Sequence, residues 1–192
     1  GSTLEIPIYP NIREDLELIE TFLWDPEKGA PDIDLHLERM CKSAANLKFK
    51  FEIIKIKQKI LEINSQSRLR CRLTLRIDGT INLTTAPLSP NSKTWVLRLS
   101  NSILSSSDPW LLHKSSNRVL YDAERANLPD GIDELVYLNE RNEVCEGTIT
   151  NIFVKIEGHW LTPPLSSGCL PGVLRRKKIE DASCKVKIVT FS

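Results

Sequence analysis

The sequence has few of the features that mark specialised classes of protein. Its 192 residues include one methionine, and aromatic residues make up only 6% of it. No apolar run approaches the roughly 20 residues that span a bilayer, and no basic segment followed by an apolar stretch suggests a signal peptide. The sequence therefore predicts a cytoplasmic protein without membrane spans.

Charge and cysteine content argue against further classes. The 26 basic residues nearly balance the 25 acidic ones, so the formal net charge is +1. This balance gives no general attraction to nucleic acid or to an anionic membrane. The five cysteines are odd in number and form no CxxC pair, which argues against a disulfide framework and against a zinc site. We therefore expect a reduced protein that binds no nucleic acid and no metal.

The N-terminal half combines strands with amphipathic helices. A helix capped by Asp32 or Asp34 is predicted to end near Leu47, because apolar residues recur at helical spacing. In the next strand, basic and apolar residues alternate, and Asp78-Gly79 then predicts a hairpin turn. The further predictions here are a helix over 51–63, strands over 16–24, 68–77, 81–85 and 93–99, and a serine-rich loop over 100–107.

The C-terminal half is richer in strands. The patterns predict helices over 116–127 and 170–182, and strands over 133–138, 152–156, 160–162 and 185–190. Helices and hairpins without a regular βαβ repeat favour an α+β fold. We expect a small α/β N-terminal domain over residues 1–100 and a β-rich C-terminal domain over residues 108–192.

Three stretches carry candidate chemistry. The first holds Lys114, followed by hydroxyl and amide residues; the second is Glu146-Gly147-Thr148-Ile149-Thr150-Asn151; the third places Pro171-Gly172 before a helix. In this order and spacing they resemble the class IV aminotransferase family, whose members bind pyridoxal 5'-phosphate in the arrangement called fold type IV. Within that family, the resemblance is strongest to enzymes that act on 4-amino-4-deoxychorismate.

The resemblance implies a cofactor site. Lys114 matches the lysine that forms a Schiff base with the cofactor, and Glu146 matches the acid that faces the pyridine nitrogen. Arg39 matches the phosphate-binding arginine, and Val173 and Leu174 match the helix start whose amides meet the phosphate. Many relatives have threonine where Leu174 stands, so a hydroxyl contact is missing. A lysine or glutamate considered alone would be read as a solvated charge.

The same resemblance implies a substrate site. Thr21 aligns with a threonine near the substrate in the lyases of the family, although it is equally well explained as a strand residue. Asn117 and Arg118 complete a lyase-like Lys-x-x-Asn-Arg pattern and are candidates for contacts with a substrate carboxylate. Relatives continue past Thr190 with a further phosphate contact, so we expect weakened cofactor binding if the chain ends here.

The implied reaction is the conversion of 4-amino-4-deoxychorismate to 4-aminobenzoate and pyruvate. Two alternatives stay open: an aminotransferase for D- or branched-chain amino acids, and an inactive domain that serves as the partner of a synthase. The resemblance also implies a homodimer, and it allows a fused or associated aminodeoxychorismate synthase. Pyridoxal phosphate and a small-molecule substrate are the expected ligands.

Overall fold

The structure, a computed structural model, describes residues 9, 12–90 and 93–192. These residues form two compact units. The first comprises the described residues up to Pro90 together with Lys114–Asn117, and the second comprises 93–113 and Arg118–Ser192. The segment that contains Lys114 therefore packs with the first unit, although it follows the start of the second in sequence. The division into domains 1–100 and 108–192 stays a prediction.

The first unit is a three-stranded antiparallel sheet with two helices. Its strands are β1 (Glu17–Trp24), β2 (Leu69–Arg76) and β3 (Ile81–Pro87) in the order β1-β2-β3, and its helices are α1 (Ile33–Leu47) and α2 (Ile53–Leu61). Alternation along β1 buries Leu18 and Phe22, where α1 packs, and leaves the intervening residues less buried. The predicted turn at Asp78-Gly79 is confirmed, with Gly79 at φ +89°, a backbone conformation that favours glycine.

The second unit contains two further three-stranded sheets. Strand β4 (Leu97–Leu104) pairs in parallel with β5 (Glu134–Asn139), which pairs antiparallel with β6 (Val144–Gly147). The other sheet consists of β7 (Val154–Ile156), β8 (His159–Thr162) and β9 (Lys185–Val186). Three α-helices accompany the two sheets, α3 (Val119–Ala126), α4 (Leu165–Gly168) and α5 (Val173–Glu180), together with a short 3-10 helix (Pro109–Leu112). The mixture of helices and sheets confirms the predicted α+β class.

Two local predictions are wrong. The serine-rich stretch predicted as a loop continues β4 as far as Leu104, because the strand pairs with β5 and Ser100 and Ser102 both donate to Glu124. The predicted strand over 185–190 is reduced to two residues, and Thr190 instead bridges Glu143 beside β6. In both cases the deciding partner is distant in sequence.

Within the described part of the chain, no helix combines the length and the apolar character needed to cross a membrane.

Candidate functional site

Lys114 lies in a short extended segment along the edge of β1. The amide of Ile19 donates to the carbonyl of Lys114 at 2.9 Å, and the amide of Ser116 donates to the carbonyl of Glu17 at 2.9 Å. These bonds flank an antiparallel bridge between Leu18 and Ser115, which sets Lys114 opposite Ile19. Residues opposite each other share a sheet face, so Lys114 lies on the same face as Ile19. Side chains alternate along a strand, so Thr21, two residues after Ile19, also lies on this face.

The same face carries a guanidinium. Arg72 stands opposite Thr21 in the β1–β2 register, and Thr84 stands opposite Arg72 in the β2–β3 register. The side chain of Arg72 is exposed on this face. The alternating pattern of β2 predicted a basic face, but Arg72 was not among the predicted site residues. Only the pairing of β1 with two distant segments brings Arg72, Thr21 and Lys114 to one surface.

Arg39 belongs to the opposite, buried face of the sheet. Glu20 is only 1% exposed and accepts hydrogen bonds from Arg39 Nε at 3.0 Å and Arg39 Nη2 at 2.5 Å. His36 Nδ1 lies 2.7 Å from the same carboxylate. A guanidinium has five N–H donors, and two of those of Arg39 point to Glu20. The structure thus shows Arg39 in a buried ion pair, and its assignment to the phosphate stays a prediction.

Glu146, in the second unit, is 5% exposed and accepts hydrogen bonds on both carboxylate oxygens. The backbone amide of Leu170 donates to Oε1 at 2.6 Å, and the hydroxyl of Tyr121 donates to Oε2 at 2.8 Å. Donors of this kind stabilise a buried carboxylate. Burial and the neighbouring charge of Glu146 together raise the pKa of Tyr121 well above its usual range, so the phenol keeps its proton. Tyr121 was not among the site residues predicted from the sequence.

The loop that follows Glu146 is wrapped around a second buried carboxylate. Glu134 is fully buried and accepts hydrogen bonds from the amides of Thr148 at 3.0 Å and Ile149 at 3.1 Å, and from Thr150 Oγ1 at 3.0 Å. A Cβ on Gly147 would lie 2.7 Å from the carboxylate of Glu134, closer than real Cβ atoms approach. Packing around Glu134 therefore requires glycine at position 147.

The start of α5 is fixed through Leu170. The amide of Leu170 donates to Glu146, and its carbonyl accepts from Asn151 Nδ2 at 2.9 Å. Gly172 is the N-cap and provides no side-chain cap, so the amides of Val173 and Leu174 occupy the first turn without that acceptor. A helix start of this kind favours an anion, and contact of the Val173 and Leu174 amides with the phosphate stays a prediction.

Asn117 and Arg118 fall in different units. Asn117 is exposed, and its backbone amide donates to Ser115 Oγ at 3.2 Å. Arg118 donates from Nη2 to the carbonyl of Thr148 at 2.6 Å and from Nε to Asp122 at 2.9 Å. Arg118 therefore helps to hold the loop after Glu146. For both residues, contact with a substrate carboxylate stays a prediction.

Comparison with known proteins decides the family. The family model described as amino-transferase class IV matches residues 17–191, which is most of the chain. The chain belongs to the class IV aminotransferase family.

The chain resembles relatives named as aminodeoxychorismate lyases and relatives named as aminotransferases. It is 29% identical over 178 residues to a provisionally named aminodeoxychorismate lyase of Schizosaccharomyces pombe, covering 88% of this chain and 76% of that protein. It is 27% identical over 184 residues to an aminodeoxychorismate lyase of Bacillus subtilis, covering 81% of this chain and 61% of that protein. The crystal structure of a provisionally named amino-acid aminotransferase of Mesorhizobium loti has a TM-score of 0.87 and 36% identity, covering 92% of this chain and 88% of that one.

The family fixes the cofactor and the general type of activity. Class IV aminotransferases and aminodeoxychorismate lyases depend on pyridoxal phosphate, so this chain is a pyridoxal phosphate-dependent lyase or aminotransferase, as predicted. The residues present fit that group chemically. They include a lysine amine, a buried carboxylate with both oxygens held, and a helix start with first-turn amides and no side-chain cap.

Proposed function

We propose that this chain is an aminodeoxychorismate lyase that converts 4-amino-4-deoxychorismate to 4-aminobenzoate and pyruvate. The observation that carries the proposal is the sheet face shared by Lys114, Thr21 and Arg72, which presents an amine, a hydroxyl and a guanidinium. The names of the relatives from Schizosaccharomyces pombe and Bacillus subtilis support it.

Lys114 and Glu146 take the two central roles. When bound, pyridoxal phosphate supplies the electron sink for charge that develops on the substrate. The Lys114 amine would hold the cofactor covalently, and it would move a proton at the substrate carbon that bears the amine. Glu146 would keep a proton on the pyridine nitrogen, because its ionised form stabilises positive charge there. Tyr121 and the Leu170 amide orient that carboxylate.

The phosphate would be held by backbone and side-chain donors. The amides of Val173 and Leu174 in the first turn of α5 are the backbone donors, and they need no particular side chain. Arg39 is the proposed charged donor, supported by the resemblance alone. Its ion pair with Glu20 limits how far the guanidinium can turn.

Substrate recognition falls to the exposed sheet face. 4-Amino-4-deoxychorismate carries two carboxylates, and a guanidinium binds a carboxylate through paired, charge-assisted hydrogen bonds. Arg72 is exposed on the Lys114 face and is suited to this contact. The Thr21 hydroxyl, opposite Arg72, can donate a hydrogen bond to the departing enolpyruvyl oxygen. Asn117 and Arg118 remain proposed contacts for the second carboxylate.

An aminotransferase acting on D- or branched-chain amino acids is the second candidate. The solved structure from Mesorhizobium loti, at 36% identity over most of both chains, carries an aminotransferase name. Transamination uses the same lysine and the same acid, so these two residues do not separate the reactions. Elimination releases pyruvate without a keto-acid acceptor, whereas transamination requires one.

Product analysis tests the proposal. The purified chain with pyridoxal phosphate should form 4-aminobenzoate and pyruvate in equal amounts from 4-amino-4-deoxychorismate, with no added keto acid. Lys114→Ala should abolish both products, whereas Lys93→Ala, which changes an exposed lysine in the second unit, should not. The Thr21→Ala variant should lose lyase activity, whereas the Thr21→Ser variant, which keeps the hydroxyl, should retain it. Amino-group transfer to 2-oxoglutarate, without 4-aminobenzoate, would instead support the aminotransferase.

Covalent trapping separates both enzymes from an inactive synthase partner. Borohydride reduction of the chain with pyridoxal phosphate should label Lys114, which peptide mapping would locate. No label, together with capture of a purified aminodeoxychorismate synthase, would favour the inactive domain.

We further propose a cytoplasmic homodimer. Strand β4 lies at the edge of its sheet and exposes Leu97 and Ile103, which provide apolar surface for a second copy. Light scattering of the purified chain should give twice the mass of one copy. A stable monomer at micromolar concentration would contradict this part of the proposal.

A further inference from the structure

A cleft separate from the proposed cofactor residues opens on the second unit, between β4, α3 and the start of β5. Its volume is about 350 Å³, and its walls include Arg98, Glu124, Leu99, Pro129 and Leu135. None of the residues predicted to contact the cofactor or the substrate lines it. Pockets of a few hundred cubic ångströms accommodate small molecules.

One wall presents a carboxylate that is held in place. Glu124 Oε1 accepts hydrogen bonds from Ser100 Oγ at 2.7 Å and from Ser102 Oγ at 3.2 Å. Glu124 Oε2 accepts from the hydroxyl of Tyr137, which is fully buried. Three neutral donors fix the position of this carboxylate, and no cationic side chain in the described part of the chain lies within ion-pair distance of it. The cleft therefore contains a preorganised anion.

The facing wall presents a cation. Arg98 lines the cleft from β4, two residues before Ser100, whose hydroxyl reaches Glu124 on α3. Among the residues that the structure describes, none forms an ion pair or a hydrogen bond with the side chain of Arg98. It lies in the same cleft as Glu124, yet the two charges are farther apart than the 4.0 Å limit of an ion pair.

The remaining walls are apolar. Leu135 is buried, and Leu99 and Pro129 are half-buried. Together the walls combine a fixed anion, a separated cation and an apolar surface. A simple anion would satisfy only Arg98, and a simple cation would satisfy only Glu124. A small zwitterion with an apolar side chain satisfies all three features.

We propose that this cleft binds a free amino acid as its zwitterion. The α-carboxylate binds Arg98, the α-ammonium group binds Glu124, and an apolar side chain packs against Leu99, Pro129 and Leu135. This site does not depend on the proposed lyase activity. It connects to Glu146, however, because Tyr137 packs on Tyr121 with ring centroids 4.9 Å apart, and Tyr121 donates to Glu146.

Calorimetric titration of the cofactor-loaded chain with L-proline tests the proposal. Proline carries both charges and an apolar ring, and its secondary amine keeps it from acting as a primary-amine substrate. Prolinamide lacks the carboxylate, and N-acetylproline lacks the ammonium group. We expect saturable binding of proline and binding about ten- to a hundredfold weaker for each analogue, the value of one charge-assisted hydrogen bond.

Matched variants assign the two contacts. The affinity of Arg98→Gln for proline should be no higher than the affinity of the parent chain for prolinamide. The affinity of Glu124→Gln for proline should be no higher than the affinity of the parent chain for N-acetylproline. Arg176→Gln, which removes an exposed arginine outside the cleft, should bind proline like the parent chain. Circular dichroism checks that Glu124→Gln still folds. Absence of saturable proline binding by the parent chain would overturn the proposal. Unchanged proline affinity in Arg98→Gln would also overturn it, because proline would then bind at a different place.

Discussion

Replacing Gly172 with alanine provides a sharp test of how the start of α5 is built. Gly172 has φ −67° and ψ 149°, a backbone conformation that alanine adopts without strain. The obstacle is a side chain, because a Cβ at this position would lie 1.9 Å from Asn151 Oδ1. Asn151 must therefore turn away, and its 2.9 Å hydrogen bond to the Leu170 carbonyl is lost. Loss of one neutral hydrogen bond lowers the free energy of unfolding by about 0.5–1.5 kcal/mol, and the Leu170 carbonyl keeps its second donor, the backbone amide of Gly172 at 2.8 Å.

A double-mutant cycle that combines Gly172→Ala with Asn151→Ala should reverse the sign of the effect of Gly172→Ala on the free energy of unfolding. Asn151→Ala removes the obstacle and also the hydrogen bond, so it should itself lower the free energy of unfolding by about 1 kcal/mol. In that background, Gly172→Ala should stabilise by roughly 0.4–1 kcal/mol, because alanine reduces the conformational freedom of the unfolded chain. Urea unfolding followed by tryptophan fluorescence measures all four proteins. Equal destabilisation by Gly172→Ala in both backgrounds would show that Asn151 is not the residue that requires glycine here.

Three further predictions concern buried ionisable groups. Arg39→Ala should lower the free energy of unfolding by roughly 3–5 kcal/mol in urea titrations, because it leaves the buried carboxylate of Glu20 without its main partner; a loss below about 1 kcal/mol would place the pair in solvent. Burial lowers the pKa of His113 from 6.5, so the unfolded state takes up the proton first and the free energy of unfolding should fall as the pH drops through 6.5. His113→Asn should flatten that part of the pH profile, and an unchanged profile would assign it to other groups. Iodoacetamide should label the exposed Cys41 well before Cys145, since burial raises the pKa of Cys145 to about 12; mass spectrometry showing equal rates would contradict this.

Elements defined by neighbouring residues were predictable from the sequence. The β2–β3 hairpin follows from alternation on both sides of Asp78-Gly79, and the structure has these strands within two residues of the predicted bounds. The apolar spacing of α1 gave a helix that ends at Leu47, as predicted. These signals are local, because strand and helix periods are set by the backbone of consecutive residues. The motif around Lys114 also gave the family and its cofactor, since a motif is an ordered set of residues along the chain.

Contacts between distant residues were decided only in the folded chain. No local pattern indicates that the residues after Lys114 pair with β1, or that Arg72 therefore shares a face with Thr21. The same is true of Glu134, which reads in the sequence as an ordinary charge and is in fact the acceptor around which the Gly147–Thr150 loop closes. A carboxylate is buried only where several donors converge on it, and that convergence depends on tertiary packing rather than on spacing along the chain.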